Sequence, residues 1–368
     1  QFFSLSSQYT TSTINIAFIV PVSASQPIIR EVQFYANNIN AVSGNQVFGI
    51  NTINPSATLD VNGIARMQQG QIAGTNYSST TSVSVASDSP GTVTGVVCSA
   101  SGQYVTVIAS GGSGAGSINI STNAGLSFTK RQTTSQIPLA IAISETGVYQ
   151  VVCGNNGSNT GFMYISSNNG TTFSVVSNAS TTNLQVIALS QTGQYILVGA
   201  ASGSVYLSSN GTNSASTITF SQISTIPTSS TWQSVSMSSD GSVQLVSGTS
   251  GVYLSINTGS TWAQLTASPL NGTQTNIYTM LSRDGQSLIM ATATNSNVYY
   301  STTNTKQQSI SNATLTLGSV FTLAATYKFG QVAISRSGKY MFGIEDNTLT
   351  TNNNSTIYYS DNYGLYGS

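Results

Sequence analysis

The chain has 368 residues, enough for one large domain and a smaller module, yet only 5% of them are charged and the formal net charge is zero. Because phosphate binding needs clustered Lys and Arg, this composition disfavours nucleic acid as a partner, and it disfavours electrostatic membrane binding for the same reason. The chain has no His and no Cys/His cluster, so the sequence predicts neither a metal site nor a cofactor.

Residues 1–72 lie outside the repeat described below and are predicted to form a small N-terminal β-rich module. The chain begins with Gln1 rather than Met, which indicates a processed or partial product. The apolar run 14–22 contains Pro21 and is too short to span a bilayer, so no membrane insertion is predicted.

A short motif near the end of this module carries a resemblance. Residues 48–66 read FGINTINPSATLDVNGIAR, with turn-forming Pro and Gly around an alternating strand. This segment resembles the motif of phage tail-fibre and giant-virus fibre-like proteins, where it links an attachment region to a more distal domain. The resemblance implies an attachment or oligomerisation module, and the alternative is an ordinary β-hairpin. The matching positions are Gly49, Pro55, Leu59, Asp60, Val61 and Gly63.

Residues 73–91 are polar and rich in turn formers, so they are predicted to be a linker. Within it, residues 80–87 (TTSVSVAS) alternate between apolar and polar side chains, which is typical of a strand. We expect this strand to complete the last repeat and close a ring.

A repeat occupies residues 92–368. A Ser-x-x-Gly turn, usually followed by an aromatic residue, recurs with its glycine at positions 102, 147, 193, 241, 285 and 338, in steps of 45, 46, 48, 44 and 53 residues. Each unit holds short apolar runs between tight turns. The fourth shows this best, with strands predicted at 232–238, 243–247, 252–255 and 261–265. Four short strands at a fixed period predict an all-β, six-bladed β-propeller.

A second turn, Ser-x-Asn-x-Gly-x-x-aromatic, follows the first by about 20 residues in most units. It resembles the Asp-box of sialidase-like (BNR-repeat) propellers, with Asn in place of the usual Asp, and the resemblance implies a structural turn at the blade periphery. Both side chains can accept hydrogen bonds from turn amides. The matching residues are Ser121, Asn123, Gly125 and Phe128; Ser166, Asn168, Gly170 and Phe173; Ser255, Asn257, Gly259 and Trp262; and Ser360, Asn362 and Gly364.

The sequence contains few groups able to perform catalysis. Sialidases of the family resembled use three converging arginines, but two of the five arginines here lie outside the repeat. Arg283 and Arg336 occupy the same Ser-Arg-x-Gly position in two units, which we interpret as a solvated rim. The pairs Tyr299-Tyr300 and Tyr358-Tyr359 suit either packing between blades or sugar stacking. No catalytic, cofactor-binding or metal-binding residue is therefore predicted.

Two cysteines, Cys98 and Cys153, lie in β-like runs of neighbouring units. Two buried thiols are the favoured interpretation, and one disulfide between blades is the alternative.

These features predict a non-enzymatic structural or adhesive component of a virus particle, such as a fibre, spike or capsid-surface protein, located on the virion surface or outside the cell. Residues 1–72 would contact other virion, capsid or fibre subunits in an oligomer or larger assembly. The propeller would present a face to host glycans or a surface protein. The alternatives are a glycoside hydrolase or lyase built on the propeller, and a secreted carbohydrate-binding scaffold protein.

Overall fold

The computed structural model describes residues 48–50, 59–61, 92–111, 116–157, 160–177, 183–265, 277–292, 297–301, 305, 317–322, 329–345 and 357–361. The chain divides into two compact units, residues 1–80 and 81–368. The finer predicted division into a module at 1–72, a linker at 73–91 and a propeller from 92 stays a prediction. The predicted ring-closing strand, at 80–87, lies outside the described residues.

In the first unit, strands β1 (Phe48–Ile50) and β2 (Leu59–Val61) pair in parallel, with Gly49 opposite Asp60. A β-hairpin has antiparallel strands, so this pairing rules out the simple hairpin considered from the sequence. Pro55 and Gly63 lie outside the described residues.

The second unit is a β-propeller, and its described residues form six antiparallel sheets, numbered 1 to 6 in chain order. Sheets 1 to 5 have four strands and sheet 6 has three. Sheet 1 comprises β3 (Thr92–Cys98), β4 (Val105–Ser110), β5 (Gly116–Ser121) and β6 (Thr129–Thr134). Sheet 2 comprises β7 (Ile137–Ile143), β8 (Gln150–Asn155), β9 (Gly161–Ser166) and β10 (Ser174–Val175). Sheet 3 comprises β11 (Leu184–Leu189), β12 (Ile196–Ala200), β13 (Val205–Ser208) and β14 (Ser221–Gln222).

The remaining sheets follow the same order. Sheet 4 comprises β15 (Trp232–Met237), β16 (Gln244–Gly248), β17 (Gly251–Ser255) and β18 (Ala263–Gln264). Sheet 5 comprises β19 (Ile277–Leu281), β20 (Leu288–Thr292), β21 (Asn297–Ser301) and β22 (Leu317–Thr322). Sheet 6 comprises β23 (Phe329–Ile334), β24 (Met341–Glu345) and β25 (Ile357–Ser360). Within each sheet, strands that follow one another in the chain are hydrogen-bonded neighbours, as the repeat predicts.

The first strand of each sheet contacts the first strand of the next, so these strands lie nearest the propeller axis. The core consists of apolar clusters between consecutive sheets. Alternation along a strand sends successive side chains to opposite interfaces. In β8, for example, Val152 packs toward sheet 1, whereas Val151 and Cys153 pack toward sheet 3.

One face of sheet 1 and one face of sheet 6 carry exposed apolar side chains. Val96 of sheet 1 is 62% exposed, and Ile357 and Tyr359 of sheet 6 are 65% and 66% exposed. The Tyr359 ring is stacked on that of Phe342, with 6.3 Å between the ring centroids. A closed ring of six sheets would bury both faces. The number of blades therefore stays a prediction, although the propeller itself is confirmed.

The Ser-x-x-Gly turns place a glycine with positive φ against the preceding sheet. A Cβ added at Gly193, where φ is +83°, would lie 2.6 Å from Tyr149 Cγ, and one at Gly147 would lie 2.6 Å from Tyr104 Cδ2. At Gly147, Gly193 and Gly241, the tyrosine that follows one turn thus packs on the glycine of the next, whereas non-aromatic side chains take this place at Gly285 and Gly338.

We expect Gly193→Ala to destabilise the protein more than Gly102→Ala. Both glycines have positive φ, which costs an alanine about 1–2 kcal/mol, but only Gly193 has a side chain against the added Cβ, and such overpacking costs about 1–3 kcal/mol more. Urea unfolding of the two variants measures the difference. Equal losses would show that Tyr149 does not require the glycine.

Candidate functional site

Each Ser-x-x-Gly turn joins the first and second strands of its sheet, at one end of the propeller axis. In all six turns, the serine hydroxyl accepts a hydrogen bond from the N–H five residues later, at 2.9–3.2 Å. The glycine N–H also donates to the serine carbonyl in every turn. The turn backbone is therefore fixed, and its second residue projects from a rigid base.

These second residues form what we call the turn ring: Ala100, Glu145, Gln191, Ser239, Arg283 and Arg336. The N–H of each of the first four donates to the carbonyl of the next member, at 2.7–3.1 Å. Arg336 accepts instead from the N–H of Asp284, at 3.2 Å. This hydrogen-bonded chain joins six consecutive turns around the axis, so its side chains are held next to one another.

Three charged side chains of the turn ring converge. The Arg336 guanidinium of sheet 6 donates a hydrogen bond to Glu145 Oε1 of sheet 2 and forms an ion pair with it. The Arg283 guanidinium of sheet 5 donates to the carbonyl of Leu189, the last residue of the first strand of sheet 3, at 3.3 Å. Both contacts cross between sheets that are not consecutive, so the three charges lie at the axis.

Burial is uneven across this axial cluster. The Glu145 side chain is 17% exposed and that of Arg336 is 64% exposed. Burial lowers the pKa of Arg283, while the charge of Glu145 acts to raise it and that of Arg336 to lower it. An arginine stays protonated at neutral pH despite such a shift, so the cluster holds two positive groups and one negative group.

The two carboxylate oxygens of Glu145 differ in their hydrogen bonding. Oε2 is buried and accepts no hydrogen bond from the described residues. Buried polar atoms are normally paired, so such an atom calls for a partner such as water or a ligand hydroxyl. The carboxylate thus combines one oxygen held by Arg336 with one available acceptor.

The sequence predicted a solvated rim for Arg283 and Arg336, and Arg336 is indeed largely exposed, but Arg283 is half-buried and both side chains lie at the axis. In a propeller the first strands lie at the centre, so the turn after each first strand opens on the axis and not on the periphery. The shared Ser-Arg-x-Gly position was the signal for this convergence. Glu145 holds the same position in its own turn, Ser-Glu-Thr-Gly, and completes the cluster.

The Ser-x-Asn-x-Gly turns lie at the other edge of each sheet, between the third and fourth strands. In three of them Asn Oδ1 accepts from the serine hydroxyl, at 2.8–3.0 Å, and from the N–H four residues after the Asn, at 3.0 Å. Asn Nδ2 donates at 2.9 Å to the hydroxyl of that same later residue. This donation is the physical reason that Asn serves where the resembled family has Asp.

The other residues of these turns are placed as follows. Phe173 and Trp262 pack against the clusters between sheets 1 and 2 and between sheets 3 and 4, and Phe128 is half-buried. A fourth turn, in sheet 3, keeps the serine-to-asparagine hydrogen bond between Ser208 and Asn210 despite its insertion. Ser360 ends β25, whereas Asn362 and Gly364 lie outside the described residues. None of these turns approaches the axial cluster through a described contact.

We expect Asn168→Ala to lower the free energy of unfolding by about 1–2 kcal/mol, because the Ser166 hydroxyl and the Thr172 N–H lose their acceptor. Asn168→Asp keeps the acceptor, and the Thr172 hydroxyl can donate to it, so a change within about 0.5 kcal/mol is expected. Thermal or urea unfolding distinguishes the two variants. Equal destabilisation would show that the side-chain amide itself is required.

The tyrosine pairs lie on two faces of their strands. Tyr299 packs against the cluster between sheets 4 and 5, while Tyr300 belongs to the cluster between sheets 5 and 6. Tyr358 packs into that second cluster and Tyr359 is exposed. Three of the four rings are thus engaged between sheets, away from the axis.

The cysteines are unpaired, and their environments differ. Cys153 is buried in the cluster between sheets 2 and 3, and burial raises the pKa of its thiol. Cys98 is exposed on the same outer face of sheet 1 as Val96, so the interpretation of two buried thiols is wrong for this residue. The disulfide alternative does not occur in this structure.

We expect a thiol-specific reagent such as dithionitrobenzoate to modify one cysteine per native chain and two after unfolding. Thiolate reactivity requires exposure and a low pKa, and Cys153 has neither. Cys98→Ser should reduce native labelling to zero. Labelling of two thiols in the native protein would contradict the burial of Cys153.

Within the described part of the chain, no three His, Cys, Asp or Glu residues are grouped as a metal site would require. The described residues also contain no apolar helix of membrane-spanning length.

Comparison with known proteins shows a similarity of fold. No protein-family model matches the sequence, and no curated protein matches it either. Among solved structures, the chain is similar to the GH74 xyloglucanase of Xanthomonas campestris, with a TM-score of 0.52 and 13% identity over 76% of this chain and 45% of that one. It is also similar to an ancestral GH74 enzyme, with a TM-score of 0.50 and 18% identity over 76% of this chain and 39% of that one.

The chain therefore spans less than half the length of these two structures. Both are glycoside hydrolases, so the comparison contradicts the prediction of a non-enzymatic virus-particle component. It favours the glycoside-hydrolase alternative instead. The prediction rested on the fibre-like motif and on the scarcity of charged residues, three of which the fold gathers at one place.

Proposed function

We propose that this chain is a carbohydrate-active enzyme of the glycoside-hydrolase type, with its substrate bound at the axial end that carries the turn ring. The observation that supports the proposal best is the convergence of Glu145, Arg283 and Arg336 in a chain with only 5% charged residues. The likeness of fold to two GH74 enzymes supports the choice of a sugar as substrate.

Glycoside hydrolysis passes through a transition state with positive charge on the sugar ring, and a carboxylate on the protein stabilises that charge or attacks the anomeric carbon. Glu145 fits this role because Arg336 holds one oxygen of its carboxylate and Oε2 is available to a ligand. A second carboxyl group normally protonates the leaving oxygen. Asp284, beside Arg283 in the turn of sheet 5, accepts hydrogen bonds from Ser282 and Gln286, so its described contacts are structural.

The Asp-box-like turns and the number of blades belong to this proposal as its scaffold. We propose that the turns stabilise the outer edges of the sheets and take no part in catalysis. The extracellular location predicted from the composition suits a polysaccharide substrate and stays a prediction, as do the partners predicted for residues 1–72.

We expect the purified protein to release reducing ends from at least one polysaccharide in a panel that includes xyloglucan, mixed-linkage glucan and polygalacturonate. Glu145→Gln should lower this rate by about 10²–10⁴-fold, the range that a positioned carboxyl group contributes. The matched control is Asp361→Asn, which changes an exposed carboxylate at the end of β25.

Two results would overturn the proposal. Release of no reducing ends from any polysaccharide would contradict the enzymatic function. Equal rates for Glu145→Gln and the native protein would show that hydrolysis takes place elsewhere. Circular dichroism of each variant establishes that a loss of rate is not a loss of fold.

A further inference from the structure

We infer that an open groove at the outer part of sheets 3 and 4 binds a neutral stretch of a polysaccharide, as a second binding site made of residues other than the axial cluster. The groove lies between the third and fourth strands of sheet 4 and the segment that connects sheet 3 to sheet 4. Its volume is about 520 Å³, within the range of roughly 300–1,000 Å³ that ligand sites occupy. The choice of a glycan rests on the proposed function. The choice of a neutral one rests on the lining residues, which include Ser224, Thr225, Thr228, Tyr253, Trp262 and Gln264.

Two aromatic side chains of sheet 4 give the groove a fixed base. The Trp262 indole N–H donates to the Gly259 carbonyl at 3.1 Å, and the Tyr253 hydroxyl donates to the Ser250 carbonyl at 3.2 Å. Tyr253 is buried, whereas Trp262 is half-buried against the cluster between sheets 3 and 4. Because its N–H is engaged with the backbone, the indole offers a ligand carbon surface, which suits the C–H groups of a sugar ring.

The segment between β14 and β15 supplies hydroxyl groups to the groove. Ile223 and Ile226 are buried in the cluster between sheets 3 and 4, and the Ile226 N–H donates to the Ile223 carbonyl at 3.4 Å. The polar residues beside them, Ser224, Thr225 and Thr228, are exposed. The two isoleucines thus anchor the segment and leave its three hydroxyl groups at the surface of the groove.

Gln264 of β18 adds a side-chain amide. Its Nε2 donates to the Ser250 carbonyl at 3.2 Å, the same oxygen that accepts from Tyr253. The amide is therefore held in place while its carbonyl oxygen can accept from a ligand hydroxyl. A Cβ added at Gly251 would lie 2.7 Å from Nε2, so the glycine at that position gives the Gln264 side chain its room.

The described residues that line the groove are all uncharged. A charged ligand would lose hydration there without gaining a partner of opposite charge. A flat apolar ligand would displace water from the hydroxyl and amide groups without replacing its hydrogen bonds. A neutral sugar presents C–H groups to the indole and hydroxyl groups, which both donate and accept, to the polar side chains.

Trp262 also makes the groove measurable. The chain has two tryptophans, and the other, Trp232, is fully buried. The equivalent turns of sheets 1 and 2 carry Phe128 and Phe173, so a phenyl ring satisfies packing at this position of the repeat. Quenching of tryptophan fluorescence by acrylamide therefore reports on Trp262, and Trp262→Phe removes the report while keeping an aromatic side chain in the turn.

The experiment measures acrylamide quenching during titration with cellohexaose, mannohexaose and laminarihexaose, each compared with its form oxidised at C6 to a uronate. Trp262→Phe and Gln264→Ala change the groove. Glu145→Gln changes the axial cluster and allows binding to be measured without hydrolysis. The matched control is Gln103→Ala, which removes an exposed glutamine from a turn of sheet 1. Circular dichroism establishes that each variant is folded.

We expect at least one neutral oligosaccharide to protect the native protein from quenching in a saturable manner, and its oxidised form to bind about ten-fold more weakly or worse. Trp262→Phe should abolish the protection, because Trp232 is already shielded. Gln264→Ala should weaken binding by about two- to ten-fold, the range of one hydrogen bond. Gln103→Ala and Glu145→Gln should leave it unchanged.

The inference is wrong if none of the three neutral oligosaccharides protects, if the oxidised forms bind as tightly, or if protection persists in Trp262→Phe. Equal effects of Gln264→Ala and Gln103→Ala would also overturn it, as would loss of protection in Glu145→Gln, which would locate the sugar at the axis. Protection with no hydrolysis of any polysaccharide would support the inference and contradict the enzymatic function. Hydrolysis without protection would overturn the inference and leave the proposed function intact.

Discussion

Burial of the sheet faces against the sheets that precede and follow them in the chain is the interaction on which the rest of this structure depends. A single four-stranded sheet has two apolar faces and cannot cover either by itself. Stacking consecutive sheets around an axis covers the faces that meet, and the apolar clusters between each sheet and the next are the result. In sheets 2 to 5 the second strand is therefore buried on both faces.

This constraint determines where chemistry can take place. Because the side chains of the inner strands pack between sheets, the side chains that reach the axis come from the turns at its ends. The Ser-x-x-Gly turns keep their serine and glycine for backbone reasons, which leaves the second position free to vary. In six copies that position holds Ala, Glu, Gln, Ser, Arg and Arg. A uniform scaffold thereby carries a non-uniform set of functional groups.

Much of the fold could be predicted from the sequence because its signals are local. The first strand of sheet 4 was predicted at 232–238 and is observed at Trp232–Met237, since alternation and the following turn both lie within ten residues. The axial cluster could not be predicted in the same way. Glu145 and Arg336 are 191 residues apart, and only the stacking of the sheets about an axis brings them together. The exposure of Cys98 likewise depends on which face of sheet 1 is left uncovered by the other described sheets.

The order of the sheets also has a consequence for how the protein is made. Every interface of the stack joins neighbours along the chain, so each sheet can dock on its predecessor during synthesis and no distant partner is needed. The axial cluster is the exception, because its contacts join sheets 2 and 6 and sheets 3 and 5. It forms only after the last sheet has docked. The ion pair between Glu145 and Arg336 is thus acquired at the final step of biogenesis, and a nascent or shortened chain lacking sheet 6 has the earlier sheets but an incomplete axial cluster.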